Sequence, residues 1–208
     1  MATKGQDKKS TPDGRLIDDF EKRGQHPLMW YYQADKLRKA SEAVYGIVQE
    51  ELNAEPPVSY FLCTEPIYRY LTGMAIENLL KGIMVCDDPG LVQYDVISEE
   101  LDGHNVWTKH TGKARKKVGD KCRLSEIESE LTKNEQEFMR DLEPYVNWMG
   151  RYGIPKKRGT YETDLRTVNS KPDVERFRGK FSTIYDKIHP VLDKKLLVYQ
   201  KRRREKKK

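Results

Sequence analysis

The stretch from Glu65 to Cys86 constrains the fold more than any other part of the chain. Tyr68, Leu71, Ala75, Leu79 and Ile83 recur at helical spacing, and Ile76 and Leu80 widen that stripe over much of a helix's circumference. A helix apolar on so many sides needs neighbours on several of them, so the rest of the chain must build companions around a central rod. Asp87, Asp88, Pro89 and Gly90 end it.

The companions are legible as weaker stripes. Between about His26 and Asn53, the residues Trp30, Ala34, Leu37, Ala40, Val44, Ile47 and Leu52 keep helical spacing; Pro27 suits the first turn, and Pro56 and Pro57 stop the run. A short helix is expected from near Asn105. Another opens at Ser125, with Glu128 at capping-box spacing, and carries Leu124, Ile127, Leu131, Phe138, Leu142, Tyr145 and Met149; Pro144 should kink or restart it. The last begins near Asp173 with Val174, Phe177, Phe181, Ile184, Ile188, Val191 and Leu196, and Pro190 should bend it. Residues 150–173 are polar, rich in Gly and Pro, and read as the longest loop. No alternating strand stands out. The expected fold is all-α, an antiparallel helical bundle of about five helices spanning residues 25–200.

Charge has to be located before it means anything. The formal net charge is +6, yet residues 201–208, KRRREKKK, hold seven of the 39 basic and one of the 33 acidic residues. The remainder is balanced, with 32 of each sign. Such a like-charge block is expected to be a disordered basic tail, as are residues 1–24 at the other end. It would attract RNA, DNA or anionic lipid in a salt-dependent way, or serve only solubility. A second basic run lies between Lys109 and Arg123, facing either RNA or the acidic start of the following helix. Cys63, Cys86 and Cys122 are far apart and form no CxxC pair, which excludes a disulfide framework and the common zinc motifs. No apolar run is long enough to cross a membrane, and the opening residues lack the apolar block of a signal peptide. The expectation is a cytoplasmic protein.

No phosphate-binding Gly-rich loop, GxSxG or HExxH occurs, and no metal site or cofactor is expected. Four places carry chemistry. Glu77 and Lys81, spaced i, i+4 on the central helix with Gly73 one turn earlier, form a favourable local ion pair. Either this ridge faces solvent, the plainer reading, or the pair is buried at a helix or subunit contact where Gly73 permits close approach. His104 follows Gly103 at the start of the short helix, as a structural hydrogen-bonder or as an acid–base group near neutral pH. Arg151 and Tyr152 follow the fourth helix between Gly150 and Gly153. The arginine there answers the helix dipole or clamps a phosphate. Tyr145 and Trp148 read as core aromatics in preference to a base-stacking platform.

The order of these pieces resembles the HEPN superfamily, the higher eukaryotes and prokaryotes nucleotide-binding helical domain. Trp30, Ala34, Leu37 and Ala40 resemble its WxxxAxxLxxA first helix; YLTGMAIENLLKGIMV resembles its AxExxLK helix, with Glu77 and Lys81 on the acid and base; GHN resembles its GH-D/N helix entrance at His104. The ending WMGRY is similar to a WxGRYP segment of some members, and together the pieces span about Trp30 to Tyr152. The resemblance implies a helical homodimer that binds RNA or a nucleotide, in a toxin–antitoxin or phage-defence setting with an antitoxin or defence partner. His104 and Arg151 would be the catalytic positions if there is catalysis, with Glu77, Lys81 and Tyr152 as binding residues. The family's ribonucleases have Arg, then four to six residues, then His, and no Arg stands five to seven positions before His26, His104, His110 or His189. That departure implies a divergent binding member; a metal-independent ribonuclease with a non-standard site and a non-enzymatic protein-interaction bundle are the alternatives.

Overall fold

The computed structural model describes residues 22–55, 64–93, 96–97, 104, 106–111, 124–149 and 171–205. Helix α1 (Pro27–Asn53) leads to α2 (Glu65–Asp87), followed by a 3-10 turn (Pro89–Leu91) and a two-stranded antiparallel hairpin, β1 (Val92–Gln93) with β2 (Val96–Ile97). Then come α3 (Val106–His110), α4 (Ser125–Glu130), α5 (Lys133–Pro144), a π-helical turn (Tyr145–Met149) and α6 (Lys171–Glu205). The fold is all-α, a packed helical bundle; the miniature hairpin, absent from the periodicity reading, is too short to leave an alternating pattern.

Side-chain contacts give the helix directions. The Thr64 backbone N–H donates to Glu51 at 2.7 Å, while Trp30 lies against Gly82, so α1 and α2 are antiparallel. The Tyr68 and Phe177 rings meet at 5.5 Å, and Lys195 pairs with Asp87 at 2.9 Å, so α6 runs parallel to α2. The Phe138 and Phe177 rings meet at a tilt at 4.9 Å and Glu135 pairs with Lys187 at 2.8 Å, which sets α5 antiparallel to α6. The four main helices therefore alternate in direction along the chain, with α2 in the middle packed on α1, α3, α5, α6 and the π-helical turn. Among the described residues no helix is long and apolar enough to cross a membrane.

The seam of α1 differs from expectation. Ala34, Ser41 and Val48 are buried, with Trp30, Leu37 and Val44 filling in at alternating steps of three and four, the spacing of a knobs-into-holes seam. Ala40 is exposed and Ile47 is 47% exposed. Ser41 can sit inside because its hydroxyl donates to the Arg38 carbonyl at 2.7 Å, leaving a small side chain that permits close helix approach.

The expected fourth helix is two. Ser125 and Glu128 form no capping box; α4 stops at Leu131, and α5 starts from Thr132, whose side chain and that of Glu135 bond each other's backbone N–H. Pro144 does interrupt the helix: it has no N–H for the α-type bond, and the chain widens into the π-helical turn. That turn presses Val146 onto α2, where a Cβ on Gly73 would stand 2.3 Å from Val146 Cγ2. Gly73 thus permits close approach, and the partner it admits lies in the same chain.

The segments expected to be disordered are described only in part, since residues 1–21 and 206–208 lie outside the described residues. Residues 201–205 are helical, the last turn of α6, where the helix dipole favours Arg202, Arg203 and Arg204 and the side chains fan out around the axis. Residues 22–24 belong to the fold as well: a Cβ on Gly24 would meet Val92 Cγ1 at 2.5 Å, and the Gly24 carbonyl accepts from Trp30 Nε1 at 2.8 Å.

Candidate functional site

The ridge carrying Glu77 and Lys81 does not face solvent. Glu77 is 5% and Lys81 9% exposed, and Lys81 Nζ donates to Glu77 Oε1 at 2.7 Å. The apolar stripe of α2 covers enough of its circumference that this polar pair is carried inward with it. The lysine lies under the Trp30 ring of α1, 5.8 Å from its centroid, a cation–π contact in place of lost water. The pair is thus covered by its own chain.

His104 joins this pair from 27 residues away. Its Nδ1 stands 3.1 and 3.2 Å from the two Glu77 oxygens. An ionised carboxylate only accepts, so Nδ1 carries the hydrogen and Nε2 points away from Glu77. The imidazole side chain is 21% exposed, the most accessible of the three. A carboxylate that fixes the tautomer and orientation of a histidine, with an ammonium beside it, suits phosphate binding or proton transfer.

Glu143 on α5 completes the surroundings. Its carboxylate accepts from the Thr108 backbone N–H at 2.9 Å and from the Thr108 hydroxyl, satisfying an orphan donor in the first turn of α3. Burial pushes the Glu143 carboxyl above the usual range, the Thr108 bonds pull it back, and the Glu77 charge adds to the rise. Between them lies a cavity of about 20 Å³ bounded by Gly73, Glu77, His104, Trp107, Glu143 and Val146. That is room for one water-sized group and not for a nucleotide, so any larger ligand meets this centre at the outer edge of His104.

Of the residues singled out in the sequence, Glu77, Lys81 and His104 therefore converge. Arg151 and Tyr152 lie outside the described residues, as do Asn105 and the basic run beyond Lys109 apart from His110 and Thr111. Tyr145 is buried, as a core aromatic should be. Cys86 is buried too, and burial followed by the Asp87 charge pushes its thiol up to about 12, which suits a core residue over a nucleophile. Sequence reasoning missed Glu143 and the covering role of Trp30, neither of which carries a local spacing signal. Among the described residues no group of three or more His, Cys, Asp or Glu side chains can hold a metal ion. No family model, curated protein or solved structure matches the chain.

Proposed function

We propose that the chain is a HEPN-like helical domain that binds RNA or a nucleotide, with Glu77, Lys81 and His104 as its polar centre. The observation that carries this reading is the hydrogen bond from His104 to Glu77, which is itself paired to Lys81. Burying two ions costs several kcal/mol each, and an apolar pair of similar volume would fill this part of α2 at no such cost. A buried pair that orients a partly exposed imidazole supports a phosphate-binding edge, the protonated imidazolium donating from Nε2–H toward the phosphate. In this reading the domain works in the cytoplasm as a homodimer, in a toxin–antitoxin or phage-defence setting.

The test is binding of labelled single-stranded RNA and of a labelled nucleotide to the full chain. His104→Gln keeps a donor toward Glu77 and removes the imidazole, so the fold should hold while affinity falls about tenfold, the order of one charge-assisted hydrogen bond. Unchanged affinity for both ligands in His104→Gln and His104→Ala overturns the reading. RNA cleavage by the parent that both variants lose would extend it to catalysis.

A further inference from the structure

Two arginines of the basic run at the end of α6 line a cleft remote in sequence from the polar centre. His26, Leu28, Tyr199, Gln200, Arg203 and Arg204 line a space of about 390 Å³, within the range of small-ligand sites. Arg203 stands one helical turn beyond Tyr199, and its guanidinium lies over that ring at 5.8 Å. Tyr199 is anchored in turn, its hydroxyl donating to the Gln25 carbonyl at 3.3 Å and its ring meeting the edge of His26 at 6.1 Å. Arg204 stands one turn beyond Gln200 on the same side, whereas Lys201 and Arg202 point to other sides of the helix. Among the described residues no ion pair joins Arg203 or Arg204 to a carboxylate. His26 Nδ1 is buried and has no hydrogen-bond partner.

We infer that this cleft binds the phosphodiester backbone of single-stranded nucleic acid. A guanidinium held over an aromatic face is already ordered and keeps its planar fork for a phosphate, so little freedom is lost on binding. Arg204 supplies a second fork, and the His26 and Tyr199 edges offer apolar and polar surface to a flanking base. The chain outside residues 201–208 is charge-balanced, and two of the seven basic residues of that block, Arg203 and Arg204, line this cleft. A shallow cleft with two guanidiniums beside aromatic rings suits a single strand, whose flexible backbone can follow it and whose unpaired bases can meet the rings. The inference does not rest on the polar centre of α2.

The test measures anisotropy of a fluorescein-labelled single-stranded RNA with the full chain at about 50 to 200 mM salt. Arg203→Ala/Arg204→Ala is expected to weaken binding about tenfold or more at the upper salt concentrations. With about 0.7 lost from the salt slope per phosphate contact, affinity across that fourfold salt range should also fall about sevenfold less steeply than in the parent. Lys201→Ala/Arg202→Ala removes equal charge from the other sides of the helix and should cost less than about threefold. Arg203→Lys keeps the charge without the fork and should fall between them. Equal losses in the two double variants, absence of RNA binding by the parent, or tighter binding to phosphatidylserine vesicles than to RNA each overturns the inference. His104→Gln separates the two sites: loss there with Arg203→Ala/Arg204→Ala silent leaves the polar-centre reading and removes this one, and the converse leaves this one alone.

Discussion

Lys81→Met should be among the most destabilising single substitutions in the bundle, although methionine is apolar and nearly the right length. At 2.7 Å and an effective dielectric of about 20, the gross attraction between Lys81 and Glu77 is about 6 kcal/mol. Desolvating each ion costs several kcal/mol, so the intact pair contributes little net stability. Removing the lysine alone leaves the Glu77 carboxylate buried with its main counter-charge gone, a cost of about 3–5 kcal/mol. At about 2–4 °C per kcal/mol for a chain of this size, Tm should fall by about 6–20 °C. Because methionine retains the stem packed beneath Trp30, the loss reports charge more than packing. Glu77→Gln/Lys81→Met removes both charges while keeping an acceptor for His104, and it should lie within about 1 kcal/mol of the parent. Urea denaturation followed by circular dichroism gives all the corners of that cycle. A single variant that loses less than about 1 kcal/mol, the range of an exposed pair, refutes the reasoning, as does a double variant that loses as much as the single.

Gly73→Ala should cost about 1–3 kcal/mol through overlap with Val146, offset by about 1 kcal/mol of helix propensity, and Val146→Ala in the same chain should relieve the overlap; equal losses with and without the second change would place the contact elsewhere. Thr132→Ala removes a capping box and should lower stability by about 1 kcal/mol in urea, with Thr132→Ser, which keeps the hydroxyl acceptor, expected to lose less. Burial raises the Glu135 carboxyl, but hydrogen bonds from Lys187 and then Thr132 outweigh it and hold the group below its ordinary 4.5. A depressed carboxyl contributes stability that is present above the unfolded-state value and is lost as pH falls through the folded one, so the acid limb below about pH 4.5 should be shallower in Glu135→Gln than in the parent. Parallel acid limbs would exclude that linkage.

What the sequence made legible was what depends on repeating contacts. The central helix is legible because Tyr68, Ala75, Leu79 and Ile83, one stripe at helical spacing, are all fully buried. The α1 seam was harder: Ser41 is polar by type but small and internally bonded, while Ile47 is apolar by type and exposed, so composition pointed the wrong way at both positions. The capping box was misplaced because S-x-x-E and T-x-x-E occur within seven residues of each other, and the choice rests on where Leu131 turns extended. The polar centre was half legible. Its i, i+4 pair and His104 were visible, but whether the ridge faced inward depended on Trp30 and the π-helical turn, which are set by packing between helices and not by local spacing. The helical end of α6 is not legible in the like-charge block, because the helix dipole and the Arg203–Tyr199 contact that oppose repulsion there leave no mark in composition.

The short helix α3 is where the fold and the polar centre depend on each other. Five residues cannot sustain a helix alone, since nucleation costs more than one turn returns. Val106 and Trp107 bury its inner face, and two carboxylates hold its approaches: Glu77 through His104, which precedes it, and Glu143 through Thr108 within it. Glu143 touches neither Lys81 nor His104 through any hydrogen bond described above, yet it should govern how firmly His104 is held. Glu143→Ala is therefore expected to raise hydrogen exchange across residues 104–111 by about tenfold, the loss of about 1.5 kcal/mol from a charged acceptor to two donors. Glu143→Gln, which still accepts, should change it much less. A raised carboxyl adds stability that is complete below its unfolded value and lost as pH rises through its folded value, so the Glu143 resonance should titrate above 4.5 and move down toward it in Glu77→Gln. If exchange across 104–111 is the same in Glu143→Ala as in the parent, α3 is held by Trp107 packing alone, and His104 is positioned by Glu77 without help from α5.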